Sequence, residues 1–309
     1  MKYDLKEINF RTVPDPKGFC EECEERYQQE IERAAEKVAE NLKNSPIVLL
    51  AGPSGSAKTT SAMKISEALN RRGIGTHTVS LDDYFNTVGE GTPRTPEGEY
   101  DLESPLCLDM ELLNKHFTKL EKGERIFVPK YEFSRQMRIS EPSKSIKLKK
   151  DEICIFEGIH ALNDDIAGRH PEAFKLHISA SSEVVFNGSV VFKAIWFRLV
   201  RRLVRDYKFR GADPAETMAM WANVRRGEKL YITPFKNRAD FLFDSTLACE
   251  PAVLNAAATE LFRSVPEGIE RYDELKAVLP ALQLFGRIDE SDVPEDSVLR
   301  EFIGGGIYA

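Results

Sequence analysis

The chain has 309 residues, 42% of them hydrophobic, with a net charge of −7 at pH 7. That length supports a substantial core, as one large domain or two ordinary ones, while the acidic balance excludes a surface that coats nucleic acid. Any anion site must therefore be locally basic. No uncharged stretch is long enough to span a bilayer, and Met1 to Glu7 has no apolar core of a leader, so a cytoplasmic location without a membrane partner is expected. The five cysteines are odd in number and read as reduced thiols. Cys20 and Cys23 form a CxxC, but no second pair follows at the spacing of a structural zinc site.

Residues 24–42 place Ile31, Ala34, Ala35, Val38 and Leu42 near helical spacing, which predicts an amphipathic helix. The apolar run Ile47-Val48-Leu49-Leu50-Ala51 is a buried strand. A loop of small residues then leads into Lys58-Thr59-Thr60 and a helical pattern. Thr76 to Ser80 reads as a second strand, ending in Leu81-Asp82-Asp83-Tyr84-Phe85. Residues 87–105 carry Gly, Pro, Thr and acidic residues without periodicity, a long loop of the kind that often serves function. A helix over 106–120 follows, and then short strands at 125–129, 153–156 and 174–178. Residues 190–207 form a basic helix pattern and 217–226 another, before a last strand at 241–243 and a helix over 252–262. The tail from Val265 reads as a helix, an acidic loop and a short helix ending at Gly304. Alternating strands and helices imply an α/β sheet covered on both faces.

Gly52-Pro53-Ser54-Gly55-Ser56-Ala57-Lys58-Thr59-Thr60 has the spacing of a phosphate-binding loop. In such a loop backbone N–H groups cradle phosphates, the Lys reaches the β/γ-phosphates and the Ser/Thr hydroxyl holds Mg²⁺. Ala57 stands where the motif has its second Gly, at a position whose backbone resists a Cβ. A small-residue turn would account for Gly52 and Gly55 but not for the Lys-Thr-Thr directly after them. Asp82 and Asp83 lie just past a strand, where open α/β sheets place their ligand crevice. The plain alternative is a turn or helix-cap carboxylate. Glu157 sits at a buried strand's end, suited to the surroundings of a Mg²⁺ ion or simply solvated in a loop. Arg198, Arg201, Arg202 and Arg205 share a helix face, with Arg210 beyond. In an acidic chain this favours phosphate contacts and a closing lid over a salt-bridged surface helix.

Taken together, these segments resemble the uridine kinase and phosphoribulokinase family of P-loop kinases, most closely its uridine-cytidine kinase branch, over about residues 45–250. The resemblance implies a P-loop NTPase three-layer α/β sandwich with a mainly parallel sheet and a helical lid at about 181–230. A helical extension over 1–45, a kinase domain over 46–264 and a C-terminal extension over 265–309 complete the expected organisation. Ser80 to Phe85 is similar to the family segment whose first Asp takes the proton from the acceptor hydroxyl, which gives that role to Asp82, with Asp83 and Tyr84 beside the substrate. Leu102-Glu103-Ser104-Pro105 resembles the segment that holds ribose hydroxyls, so Glu103 is the expected reader. Pro129 to Phe133 resembles the aromatic segment beside the base, giving Tyr131 and Phe133. Phe156-Glu157-Gly158 looks like the segment with the Mg²⁺-proximal Glu, joined by Thr59. The run from Arg198 to Asp206, with Arg210-Gly211, looks like the lid helix and implies phosphate contacts for Arg202, Arg205 and Arg210.

The departures fall where a base would be read. Gln136 stands where the family has a base-contacting His, Ala212 where it has an Arg, and Met220 near a family Gln; the insertion around 181–191 is expected to reshape that pocket. The implied activity is transfer of the γ-phosphate of ATP, with Mg²⁺, to a primary hydroxyl of a nucleoside or a related sugar-bearing metabolite, and relatives suggest a homo-oligomer. Gly52, Ser54, Gly55, Ser56, Ala57, Lys58, Thr59 and Thr60 would hold the nucleotide. The alternatives are a nucleotide-binding regulator in which Ala57 has weakened catalysis, and a GTPase, since Asn237-Arg238-Ala239-Asp240 loosely matches a guanine-reading NKxD.

Overall fold

The computed structural model describes residues 1–269 and 272–308. The elements begin with β1 (Lys2–Asp4), α1 (Leu5–Arg11), α2 (Pro16–Asn41), β2 (Ile47–Ala51), α3 (Lys58–Arg71), β3 (Gly75–Ser80) and α4 (Met110–Glu121). A hairpin of β4 (Ile126–Glu132) and β5 (Met137–Ile146) precedes β6 (Glu152–Glu157), α5 (Asp164–Ala167) and β7 (Phe174–Ser179). A second hairpin, β8 (Glu183–Phe186) and β9 (Ser189–Phe192), leads into α6 (Ala194–Arg210) and α7 (Pro214–Tyr231). The chain closes with β10 (Phe241–Asp244), α8 (Glu250–Ser264), α9 (Tyr272–Leu282) and α10 (Arg300–Ile303).

Strands β10, β7, β2, β6 and β3 form, in that order, a five-stranded sheet whose neighbours all run parallel. Alternate residues of β2 enter two separate apolar clusters: Val48 and Leu50 face α2, α3, α6 and α8, while Ile47, Leu49 and Ala51 face α4. Helices on both faces are why β2 reads as an unbroken apolar run rather than an alternating one. The expected three-layer α/β sandwich is thus the observed fold.

Several segments differ from the sequence expectation, among them residues 190–192, expected to open the basic helix but found in strand β9. Residues 137–146 form β5, an antiparallel partner of β4 whose side chains are mostly exposed, so it carried no apolar signal. Residues 181–192 do not reach the crevice. They form a hairpin turned at Asn187-Gly188, both at positive φ, and β8 pairs in parallel with β1 at the N-terminus. Helix α2 also starts earlier than its apolar spacing suggested, at Pro16, behind the Asp15 cap whose carboxylate accepts from the Gly18 N–H.

All five cysteines are buried and free, with Cys20 and Cys23 of α2 facing Cys249 ahead of α8. Among the described residues no cluster of three or more His, Cys, Asp or Glu is arranged to hold a metal, and no helix is long and apolar enough to cross a membrane.

Buried His116 of α4 meets the Tyr84 hydroxyl at 2.8 Å through Nδ1. Burial lowers its pKa from 6.5 to about 4, with Lys119 and Lys115 acting in the same direction. The unfolded ring therefore protonates first, and this group's contribution to stability is lost as pH falls from about 6.5 towards about 4. The stability advantage of the native chain over His116→Asn, measured by urea unfolding, should shrink by about 1–3 kcal/mol between pH 7 and pH 4.5. An advantage that does not change with pH would refute the buried neutral state.

Candidate functional site

The parallel register brings three strand ends together. Leu50 of β2 and Ser80 of β3 both lie opposite Glu157 of β6, so the loops leaving these strands open on one edge of the sheet, at its carboxyl end. The loop after β2 is the Gly52–Ala57 segment. Gly52 is required by close approach, since a Cβ there would lie 2.1 Å from the Ile178 carbonyl oxygen. Ala57 sits in the left-handed region at φ 62, ψ 36, the conformation a glycine would take. The loop thus keeps its form and bears the strain, of order 1–2 kcal/mol for a residue with a Cβ.

Helix α3 starts at Lys58 with no side-chain cap, so the N–H groups of its first turn have no side-chain acceptor. Free N–H groups and the positive end of the helix dipole make an anion site. Lys58 Nζ donates to the Pro53 carbonyl at 3.3 Å. Among the described residues, the buried Ser56 hydroxyl and one buried terminal nitrogen of Arg198, Nη2, have no hydrogen-bond partner. Unsatisfied buried donors around uncommitted amides fit a polyanion such as a nucleotide phosphate chain. Thr59 is an exposed residue and Glu157 a buried one at its strand's end, each an oxygen donor of the kind a hard cation such as Mg²⁺ takes.

Lys58, Asp82 and Glu157 are close enough to govern one another's charge. Burial lowers the Lys58 pKa, against the pull of Glu157, Asp82 and Glu301. Burial raises Asp82, which Lys58 and Arg210 offset. Glu157 is pushed up to about 7 by burial and by Asp82, with Lys58 and the Ser80 hydroxyl working the other way. Glu103, in the long loop, is raised by burial and feels Arg202, Lys58 and Asp82 as well. The structure therefore brings Lys58, Asp82, Glu103, Glu157, Arg202 and Arg210 to one crevice.

Helix α6 crosses that crevice, and its arginines divide into different tasks. Arg198 Nε donates to the Ser54 carbonyl at 2.8 Å while its guanidinium pairs with Glu228 of α7 at 2.9 Å. Arg202 donates to the Ser54 hydroxyl at 2.9 Å. Arg205 and the exposed Arg210 both lean on Asp206. Arg201 is the exception: it has no exposed surface and makes two bonds to Glu250 at 2.5 and 2.6 Å, one to the Ser245 carbonyl at 2.6 Å and one to the Gly55 carbonyl at 3.2 Å. Helical spacing alone could not separate it from its neighbours, because what distinguishes it is burial against α8.

On the acceptor side Phe85, Tyr131 and Phe133 form an aromatic cluster with ring centroids 5.1–6.2 Å apart. Phe85 and Tyr131 line a cleft of about 260 Å³ together with Leu102, Leu106 and Cys107. Phe133 is largely exposed, and Gln136 occupies the left-handed turn between β4 and β5. The Asp83 carboxyl lies near the Tyr131 backbone N–H, which lowers its pKa against the upward push of burial. Tyr84 is not brought to the crevice. Its side chain is fully buried against Phe156 and its hydroxyl is held by His116, because the turn after β3 points this position inward.

Several residues of the crevice carried no local signal. Asp101 pairs with Arg226 at 2.6 Å and accepts from the Tyr231 hydroxyl at 3.0 Å, tying the long loop to α7. His160 is buried beside that group, its ring nitrogens without a hydrogen-bond partner among the described residues and its pKa lowered to about 4 by burial. Gly227 of α7 makes room for Glu103, whose Cβ would lie 2.5 Å from a Cβ there. These depend on α7 folding over residues far earlier in the chain. Asn237 to Asp240 lie just ahead of β10, at the opposite edge of the sheet, where Asp240 accepts from the Lys175 N–H and Arg238 pairs with Asp164, so they read no base in this crevice.

A family model described as the phosphoribulokinase/uridine kinase family matches residues 47–249. A uridine kinase of Saccharomyces cerevisiae is 29% identical over 205 residues, covering 64% of this chain and 36% of that protein. One of Schizosaccharomyces pombe is 33% identical over 239 residues, 75% of this chain and 48% of the relative. A uridine kinase of Deinococcus deserti is 26% identical over 208 residues, 67% and 91% respectively. The chain spans less than half the length of either yeast relative.

Glu250→Gln would leave the Arg201 guanidinium buried without its counter-charge. Chemical unfolding should register a loss of about 3–5 kcal/mol, and a loss under about 1 kcal/mol would remove Arg201 as the tie between α6 and α8.

Proposed function

Because the chain belongs to the phosphoribulokinase/uridine kinase family, we propose that it transfers the γ-phosphate of ATP to a primary hydroxyl of a uridine- or cytidine-like nucleoside or a related sugar-bearing metabolite. The observation that carries this reading is the convergence of Lys58, Asp82 and Glu157 at the carboxyl ends of adjacent parallel strands, beside an uncapped α3. Gly52 to Thr60 hold the nucleotide, the loop amides and Lys58 taking its phosphates. Asp82 accepts the proton of the acceptor hydroxyl as the new O–P bond forms and the bond between the β- and γ-phosphates breaks, releasing ADP. Its raised pKa makes it a stronger base than an exposed aspartate, and Lys58 beside it stabilises its charged form.

Thr59 and Glu157 would hold Mg²⁺, which when bound neutralises charge on the phosphates. Arg202, Arg205 and Arg210 stabilise the transferred charge from the lid. Asp206 keeps these guanidiniums oriented before any phosphate arrives. Glu103 accepts from the acceptor's sugar hydroxyls, while Tyr131 and Phe133, with Phe85, offer faces on which a planar base stacks. Asp83 and Gln136 border that region, and Gln136, in place of a histidine, is where base preference departs from the family. A non-catalytic regulator was suggested only by Ala57, and that residue takes the glycine-like conformation in place.

Asp82→Asn should lower kcat by about 10²–10⁴-fold while the dissociation constant for ADP changes less than about threefold. Turnover equal to that of the native chain would sink the assignment of the base. The acceptor is identified by ADP release with Mg·ATP across nucleosides and sugars, and the reading expects the strongest response from a nucleoside.

A further inference from the structure

The C-terminal segment returns to the phosphate loop. Thr60, in the first turn of α3, donates its hydroxyl proton to the Glu301 carboxylate of α10 at 2.6 Å. Glu301 is also near enough to act electrostatically on Lys58 and Glu157. The backbone around it is held on both sides: the Val298 N–H donates to Glu24 at 3.2 Å, and Lys208 of α6 donates to the Ile303 carbonyl at 3.2 Å. Between these anchors Phe302 is fully buried, 5.1 Å from the Arg201 guanidinium. A carboxylate thus stands fixed at the end of α3 where the free N–H groups and the helix dipole attract anions.

Resting on the donor site proposed above, we infer that Glu301 is a built-in competitor for the nucleotide's phosphate chain and sets how tightly this chain holds its donor. The first reason is proton supply. A threonine hydroxyl has one hydrogen to donate, so Thr60 serves either Glu301 or an incoming phosphate oxygen. The second is charge. Because the tail backbone is pinned, only the Glu301 side chain can withdraw, and until it does an anion lies beside the phosphates in a partly buried crevice where like charges repel strongly. The C-terminal extension, which lies beyond the matched family region, in this way supplies a residue that acts on the donor site.

Glu301→Gln removes the charge and keeps an oxygen able to accept from Thr60. The variant and the native chain are titrated with Mg·ADP by calorimetry at low and high salt, and thermal unfolding confirms that each is folded. The variant should bind ADP about tenfold tighter at low salt, the difference narrowing as salt screens the charge. Glu301→Asp, which draws the carboxylate back by one methylene, should move in the same direction by a smaller factor and stands in if the glutamine variant does not fold. If Glu301 merely caps α3, both variants lose stability while ADP affinity stays equal or weakens, and that result overturns the inference. Equal binding by all chains defeats only the tail's role, whereas absence of ADP binding in every chain defeats the donor site and the inference together.

Discussion

The crevice depends on one buried guanidinium. Arg201 reaches Glu250 at the start of α8, the Ser245 carbonyl past β10 and the Gly55 carbonyl of the phosphate loop, and it lies beside Phe302 of the tail. A charge with no exposed surface is tolerated only when its donors are satisfied, so these groups must be assembled together. That requirement holds α6 against the loop while its neighbours, Arg198 about one turn before it and Arg202 directly after it, bond to Ser54. Helix α6 is therefore anchored at its middle and less constrained towards Arg210, which is exposed.

Around that anchor the site is a balance of buried charges. Lys58, Asp82 and Glu157 are each shifted towards neutrality by burial; Lys58 and the two carboxylates draw each other back, while Asp82 pushes Glu157 further the same way. Burying such a set costs free energy that further charges would relieve, which is what supports the charged ligand proposed for it. The fold stability of the sheet comes from elsewhere, the apolar clusters on its two faces. Stability and chemistry are separated along each strand, apolar residues within the sheet and charged ones at the carboxyl ends.

Much of this was legible in the residues. The apolar runs at 47–51 and 153–156, the Lys-Thr-Thr after a small-residue loop, and the acidic residues at strand ends are local patterns whose physics is local too. The segments that escaped share a reason. β5 is polar because its faces stay wet, β8 finds its partner in the first residues of the chain, and Asp101, His160 and Gly227 acquire meaning only through α7. Tyr84 was misplaced because a four-residue turn has no periodicity from which to read which side faces inward.

The sequence by itself determined the fold class, the form of the loop after β2 and the family, since strand burial, loop backbone and the first helical turn are specified by residues adjacent in the chain. Tertiary structure alone decided which arginine is structural, where the insertion around 181–191 lies, and that Glu301, more than two hundred residues from Thr60, shares its hydrogen. Those outcomes turn on burial and on the meeting of distant groups, and neither leaves a mark in local spacing.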